Sequence, residues 1–323
     1  MSKVAFITGI SGQDGSYLAE YLLSLGYSVH GLIRRQSVAE NQSSRIDSIY
    51  EKIDTYYGDL LDQSSILHVL DKIKPNEIYN LAAMSHVRIS FDTPQFTAQA
   101  NAIGCLNVLE SMRITCPKAK FYQASSSEMF GNNVDPDGYQ RITTPMAPVS
   151  PYGASKVFAY NMTNIYKESY GLHCCNGILF NHESSRRGTN FVTNKIVKTA
   201  VEIKKGISNK LVLGNLDSYR DWGHSKDYVR AMHKIVNYDV PKNWIVATGE
   251  AKSIRDLCDY VFSSLDMNYK KYVVQDQKYM RPNELNYLKG DSCHTKEALH
   301  WEPEYNFESL LDEMIDYWKS VYF

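Results

Sequence analysis

Tyr152 and Lys156 stand four residues apart in "SPYGASK", a spacing that puts both side chains on one face of a helix, a turn from each other. An ammonium beside a phenol favours the phenolate, so the lysine is expected to draw the tyrosine toward the pKa of a usable base. Alone the pair means little, because Y-x-x-x-K arises constantly by chance. Ser126, 26 residues before Tyr152, closes a strand-like run in "KFYQASSSEMFG" (120–131), and Glu128 follows it. A polar strand end is ordinary. Hydroxyls and a carboxylate there gain chemical meaning only where other groups converge on them.

Gly9, Gly12 and Gly15 recur as G-x-x-G-x-x-G in "TGISGQDGSYLAEYLLSLGY". Glycines at such a place let the chain turn tightly and approach a pyrophosphate, which then sits at a helix N-terminus. The spacing departs from G-x-G-x-x-G, and a bare turn could use the same residues. The apolar run before and the amphipathic run after favour nucleotide binding. At the end of the next strand, where an acidic residue would meet a free ribose 2′-hydroxyl, the chain has Arg34 and Arg35. Guanidinium groups match a 2′-phosphate in charge and paired donors, so NADP is expected over NAD. Asp59 in "YGDL", ending the following apparent strand, is placed to accept from the adenine amine.

These residues need a scaffold that brings strand ends together. The runs 3–9, 28–34, 77–83, 120–126 and 172–181 read as buried strands. Helix-length stretches lie between them: "GSYLAEYLLSLG", a segment near 94–115 and the segment from Tyr152. The alternation predicts an α/β fold, a Rossmann-type doubly wound parallel sheet with helices on both faces. After residue 181 the pattern loosens into short strands, turns and helices, without repeat or low-complexity linker. A smaller C-terminal α/β substrate domain, interwoven with the first, is expected. The boundaries read as 1–181 plus about 215–250 for the NADP-binding domain, and about 182–214 plus 251–323 for the substrate domain.

Composition narrows the function classes. The 323 residues allow about two domains, and 43% apolar with 22% charged residues suits a soluble globular chain. A formal net charge of −1 gives no general attraction to nucleic acid or anionic membrane. No apolar stretch reaches membrane-spanning length, and strand-like sequence begins at once without a signal peptide. Six cysteines without a C-x-x-C pair read as free thiols, so a cytoplasmic location and no metal site are expected.

Taken together, the glycine motif, the Ser-rich strand end and the Tyr152/Lys156 pair resemble the extended short-chain dehydrogenase/reductases. Within them, "GISGQDGSYLAEYLL", "FYQASSSEMFG", "SPYGASK", "GILFNHESSRRGTNFVTNKI", "LGNLDSYRDWGHSKDYV" and "RPNELNYLKGD" are similar to the GDP-mannose 4,6-dehydratase family. The likeness runs from Lys3 past Trp301. It implies a redox-neutral lyase that turns a GDP-sugar into a GDP-4-keto-6-deoxy sugar, with NADP tightly bound and recycled in each turnover. Tyr152, with Lys156, would take the proton of the sugar 4-hydroxyl. Glu128, beside the Ser126 hydroxyl, would remove the C5 proton and help water leave from C6.

The resemblance also implies contacts by matched position. Thr8, Gly9, Gly12, Gln13, Asp14, Gly15, Arg34, Arg35, Asp59, Leu60, Leu81, Ala83, Ser85, Tyr152, Lys156, His182 and Arg187 fall to NADP. Ser85, Ser126, Glu128, Asn181, Val192, Lys195, Leu213, Gly214, Arg220, Arg281 and Glu284 fall to the GDP-sugar. Arg220 and Arg281 suit a diphosphate, and Glu284 suits donors of the ribose or guanine. A homo-oligomer, dimer or tetramer, is implied as well.

Departures from the family pattern leave alternatives open. Ser126 replaces the usual threonine and removes one methyl, worth roughly 1–3 kcal/mol of discrimination. A GDP-D-glycero-D-manno-heptose is therefore an alternative substrate. Ser185 replaces the proline of "HESPRRG". "RRQSVAENQSSRID", which resembles the loop that reaches a neighbouring subunit in the family, is slightly longer than usual. An epimerase or a 4-keto reductase would use much of the same machinery, the latter consuming NADPH, and a non-catalytic NADP-binding protein would need only the cofactor half.

Overall fold

A computed structural model describes residues 2–35, 44–280 and 283–323 of the chain. Seven strands form one sheet: β1 (Val4–Thr8), β2 (Ser28–Ile33), β3 (Asp54–Tyr57), β4 (Glu77–Asn80), β5 (Lys120–Ser126), β6 (Cys174–Leu179) and, later in the chain, Asn243–Val246. All neighbours are parallel, in the order Asn243–Val246, β6, β5, β4, β1, β2, β3. β4 and β6 are buried throughout, as central strands covered on both faces are, although β4 carries Glu77 and Asn80 and β6 carries Asn176. Alternate residues serve opposite cores. Ala5, Ile7, Tyr79 and Tyr122 pack with the helices Gln13–Ser24 and Ser225–Val236 through Leu18, Leu22, Met232 and Ile235. Phe6, Ile78 and Phe121 face the helices Gln63–Ile73, Gly104–Thr115 and Pro151–Tyr170 through Leu70, Leu109, Met112 and Tyr166.

The run 172–181, expected as one strand, changes sheets within its length. Phe180 still donates its N–H to Val246 O at 3.0 Å. The next strand, β7 (Asn181–Glu183), instead pairs with β9 (Tyr219–His224), Asn181 opposite Trp222. With β8 (Leu211–Leu213), β10 (Asn243–Val246), β11 (Ala251–Ser253) and β12 (Val273–Gln275) named, the remaining sheets are β11-β9-β7 and β12-β8. Around them the helices Val192–Lys204, Ile254–Ser263 and Phe307–Tyr322 bury Val197, Leu257, Phe262, Leu311 and Met314. A smaller core joins the two halves: Met129 and Phe130, just after Glu128, pack with Phe180, Leu285 and Leu288.

The segment near 94–115 also differs from a single helix. It opens into a π-helical turn at Gln99–Ile103 between helices Pro94–Ala98 and Gly104–Thr115. Such turns often mark functional sites. Here Asn101 accepts from Met84 N–H at 2.8 Å, and its amide lies within donating distance of Met84 O and of Ser155 Oγ. It thereby braces the loop after β4. No helix among the described residues is long and apolar enough to cross a membrane. All six cysteines are free thiols.

Candidate active site

The strand order reverses between β1 and β4, and beside such a reversal the carboxyl ends of parallel strands form a ligand crevice. Gly9 has a φ of +72°, and a Cβ on it would come within 2.9 Å of the Ala82 backbone. At Gly15 a Cβ would overlap the Gly9 carbonyl oxygen. The loops after β1 and β4 thus approach closely because Gly9 lacks a side chain, and the helix start packs on the Gly9 carbonyl because Gly15 does. They leave a cavity of about 530 Å³ bordered by Gly9, Gly12, Gln13, Asp14, Gly15, Arg34, Asp59, Leu60, Leu81, Ala83, Ser85 and Arg187. The first turn of the helix Gln13–Ser24 lines it, an arrangement suited to an anion.

Two residues expected to touch the cofactor do not line this cavity. Thr8 is fully buried. Its hydroxyl donates to Asn80 Oδ1 at 2.7 Å and accepts from Leu81 and Ala82 N–H, both at 3.1 Å. It supports the loop after β4 from beneath. Arg35 is exposed and borders neither this cavity nor the one described next.

Three of the expected cofactor contacts are tied to one another's segments. His182 Nδ1 lies 2.8 Å from Phe180 O and Nε2 lies 2.7 Å from Asp14 Oδ2. Two acceptors on one ring suit the imidazolium. Burial pushes both groups toward neutrality, but their mutual attraction prevails: Asp14 is lowered to about 2 and His182 is raised. Gln13 donates to His182 O at 3.2 Å and accepts from Ser184 Oγ at 2.9 Å. The segment after β7 is thereby fastened across the glycine loop.

A second cavity, about 340 Å³, shares Asp14, Leu81, Ala83, Ser85, His86, Arg187, Asn190 and Phe191 with the first. Ser126, Glu128, Tyr152, Lys156 and His182 all border it. Ser126 Oγ accepts from Glu128 N–H at 3.2 Å and so caps the short turn Ser127–Phe130 that carries the carboxylate. Glu128 is only 8% exposed. Tyr152 sits in the first turn of the helix Pro151–Tyr170, which starts because Ser150 accepts from Gly153 N–H at 3.0 Å and Pro151 presets the first helical φ.

The spacing-based expectation for Tyr152 needs correction. Burial raises the phenol to about 12, with the Ser126 hydrogen bond opposing the rise and the Glu128 charge adding to it. Lys156 is lowered to about 8, also by burial. Its Nζ donates to Ala124 O at 2.8 Å and lies 5.7 Å from the Tyr152 ring centre. The lysine is a neighbour, but its ammonium is spent on a carbonyl and the surrounding low dielectric outweighs it.

The far end of this cavity is lined by Asn181, Val192, Lys195, Leu213, Gly214, Arg220 and Glu284. Arg220 is 5% exposed, donates to Tyr219 O at 2.8 Å and pairs with Glu284 Oε1 at 3.5 Å. Lys195 donates to Val212 O at 2.7 Å and lies 4.1 Å from the Tyr279 ring centre. Arg281 lies outside the described residues. Residues that the sequence reading passed over complete the walls: His86, Asn190, Phe191 and Tyr279. His86 Nδ1 accepts from Ile89 N–H at 3.2 Å, which leaves Nε2, 3.3 Å from Asn190 O, as the donor. None of these carried a spacing signal. No group of three or more His, Cys, Asp or Glu among the described residues could hold a metal ion.

Known proteins with this arrangement follow from comparison. The model of the family described as GDP-mannose 4,6 dehydratase matches residues 6–314. The chain belongs to that family. GDP-mannose 4,6 dehydratase 1 of Arabidopsis thaliana is 48% identical over 326 residues, covering 97% of this chain and 89% of that protein. GDP-mannose 4,6 dehydratase of Homo sapiens is 42% identical over 341 residues, covering 97% and 90%. Among solved structures, the dTDP-glucose 4,6-dehydratase of Bacillus anthracis in complex with NAD aligns with a TM-score of 0.84 at 23% identity, covering 99% and 97%. The UDP-glucose 4-epimerase of Thermus thermophilus aligns at 0.85 and 22%, covering 98% and 99%. At such identity the structures share the fold with this family member and no more.

Proposed function

We propose that this chain is a GDP-mannose 4,6-dehydratase that uses NADP. One observation carries the reading: a buried carboxylate, Glu128, shares a cavity with Tyr152 and Lys156, and that cavity shares a wall with a main-chain cradle of dinucleotide size. The cradle suits a pyrophosphate because it is walled by main chain that closes up only where Cβ atoms are missing, and Arg34 at its edge suits a 2′-phosphate. NADP, when bound, supplies a hydride acceptor for C4 and returns that hydride to C6.

The chain's own residues handle the protons. Tyr152 takes the proton of the sugar 4-hydroxyl, with the Lys156 ammonium 5.7 Å from its ring centre and the Arg187 charge both on hand to balance the phenolate. Desolvation opposes that phenolate, so a positive charge brought into the adjoining cavity favours it. The 4-ketone acidifies C5–H. Glu128 removes that proton and delivers it to the C6 hydroxyl, which leaves as water. A proton then returns to C5, and the one held by Tyr152 closes the balance. Arg220 and Lys195 supply positive charge at the nucleotide end for the diphosphate.

The cofactor unit in this proposal comprises 1–181 with about 215–250, except that β9 within it turns Arg220 toward the sugar-side cavity, and the substrate unit comprises the rest. A homo-oligomer, dimer or tetramer, is proposed as well. Mass spectrometry of the purified protein with GDP-mannose, without added NADPH, tests the activity. A product lighter by one water supports a dehydratase. Turnover that requires stoichiometric NADPH would make it a reductase.

A further inference from the structure

Glu183, at the end of β7, borders the sugar-side cavity, is 2% exposed and has no part in the reaction above. Its Oε2 lies 3.0 Å from Arg187 Nε, yet the two atoms are out of line for a hydrogen bond and neither has a hydrogen-bond partner among the described residues. The guanidinium centre of Arg187 sits 3.7 Å from the Phe191 ring centre. Arg187 and Phe191 both border both cavities. A buried carboxylate demands a compensating cation. Burial raises the Glu183 pKa, and the Arg187 charge works against the rise.

The backbone carrying this pair is fixed without it. Ser184 donates to Gln13 at 2.9 Å, Arg186 donates to Ser16 at 3.0 Å and pairs with Glu20 at 2.6 Å. Arg45 donates to Arg186 O at 2.8 Å, and Ser185 donates to Glu313 at 3.2 Å. With the main chain held from both sides, the side chain of Arg187 is the part left to be aimed. Phe191 gives it a flat support, and Glu183 gives it a direction.

We propose that Glu183 is a positioning residue for cofactor binding: by charge it holds Arg187 against Phe191 in the wall between the cavities, where the guanidinium meets an anionic group of the dinucleotide. This rests on the NADP reading above. Calorimetric titration of NADP into wild-type protein, Glu183→Gln, Glu183→Asp, Arg187→Ala and the Glu183→Gln/Arg187→Ala double variant tests it, with circular dichroism checking the fold. Glu183→Gln is expected to weaken NADP binding at least about tenfold. Glu183→Asp, which keeps the charge, is expected to lose less. In the Arg187→Ala background the Gln substitution is expected to add nothing, because its effect passes through the arginine. A Glu183→Gln protein with wild-type affinity, or a loss that adds in full to that of Arg187→Ala, overturns the proposal. If Glu183→Gln fails to fold, Glu183→Asp binding as weakly as Arg187→Ala would do the same. Wild-type protein that binds no NADP overturns the cofactor reading and this proposal together.

Discussion

The two cavities proposed to hold cofactor and sugar are built from different material. On one side, main chain makes the surface: Gly9, Gly12, Gly15 and the loop after β4 meet because Cβ atoms are absent. On the other, side chains from β5, β7, β9, several helices, the segments 211–220 and 276–280, and Glu284 make it. A main-chain cradle admits no added atom, and what it holds is set by peptide geometry. A side-chain wall admits exchange at every position, and each exchange changes what it holds. One half of the site is therefore intolerant and general, the other tolerant and specific.

That contrast can be broken most sharply on the chemical groups. Glu128→Gln should lower turnover of GDP-mannose about 10²- to 10⁴-fold, the usual contribution of a positioned proton-transfer group. Bound cofactor, read from the absorbance of the purified protein, should persist. Unchanged turnover would remove the assigned role.

Gly15→Ala tests the intolerant half. The new Cβ overlaps the Gly9 carbonyl, so a cost of about 1–3 kcal/mol is expected with loss of retained cofactor. Thermal unfolding and cofactor content read both effects, and a variant that unfolds and retains cofactor like wild type would show that the cradle is looser than described.

The Asp14–His182 pair, which ties the halves together, should show itself in pH dependence. Asp14 has a folded pKa of about 2 against an ordinary 3.8, so its contribution is present above 3.8 and lost as pH falls toward 2. His182 is raised, so the same interaction is fully present below 6.5 and lost as pH rises through its folded value. Counted once, the pair is worth about 2 kcal/mol. Urea unfolding of wild type and Asp14→Asn between pH 4 and 9 should show the gap widest near the acid end and closing at the alkaline end. A gap constant with pH would mean the ion pair is not its source.

The smallest effect is expected at Ser126→Thr. One added methyl should change the preference between GDP-mannose and the corresponding heptose less than about a hundredfold. Parallel rate measurements that show equal effects on both sugars would make the methyl irrelevant to substrate choice.

Legibility in the sequence followed the same division. The glycine motif and strands β1, β2, β4, β5 and β6 could be read because turn chemistry is local and central parallel strands are rich in apolar residues, whereas β3, half exposed as DTYY, showed only as an apparent strand before Asp59. The run 172–181 hid its change of sheet, since the apolar residues continue through Phe180. β7, β8 and β11 have three residues each, too few for a period to appear. Phe191, Tyr279 and His86 reach the site from irregular segments or a helix cap, where spacing encodes nothing. The Tyr152/Lys156 spacing showed proximity but not burial, and burial decides the direction of both pKa shifts. Thr8 matched by position and yet serves the loop beneath the cavity.

The crossing at Phe180 has an evolutionary corollary. Glu128, Tyr152 and Lys156 hang from the first sheet and its helices, while Lys195, Arg220 and Glu284 hang from the elements beyond the crossing. On the proposed roles, selection acting on the second group can retarget the chain to another activated sugar without redesigning the reaction, because the residues proposed to break bonds sit on a separate framework. Grafting segments 192–220 and 276–286 from a relative with a different nucleotide preference would test that modularity: specificity should travel with the graft, and turnover number should stay with the host.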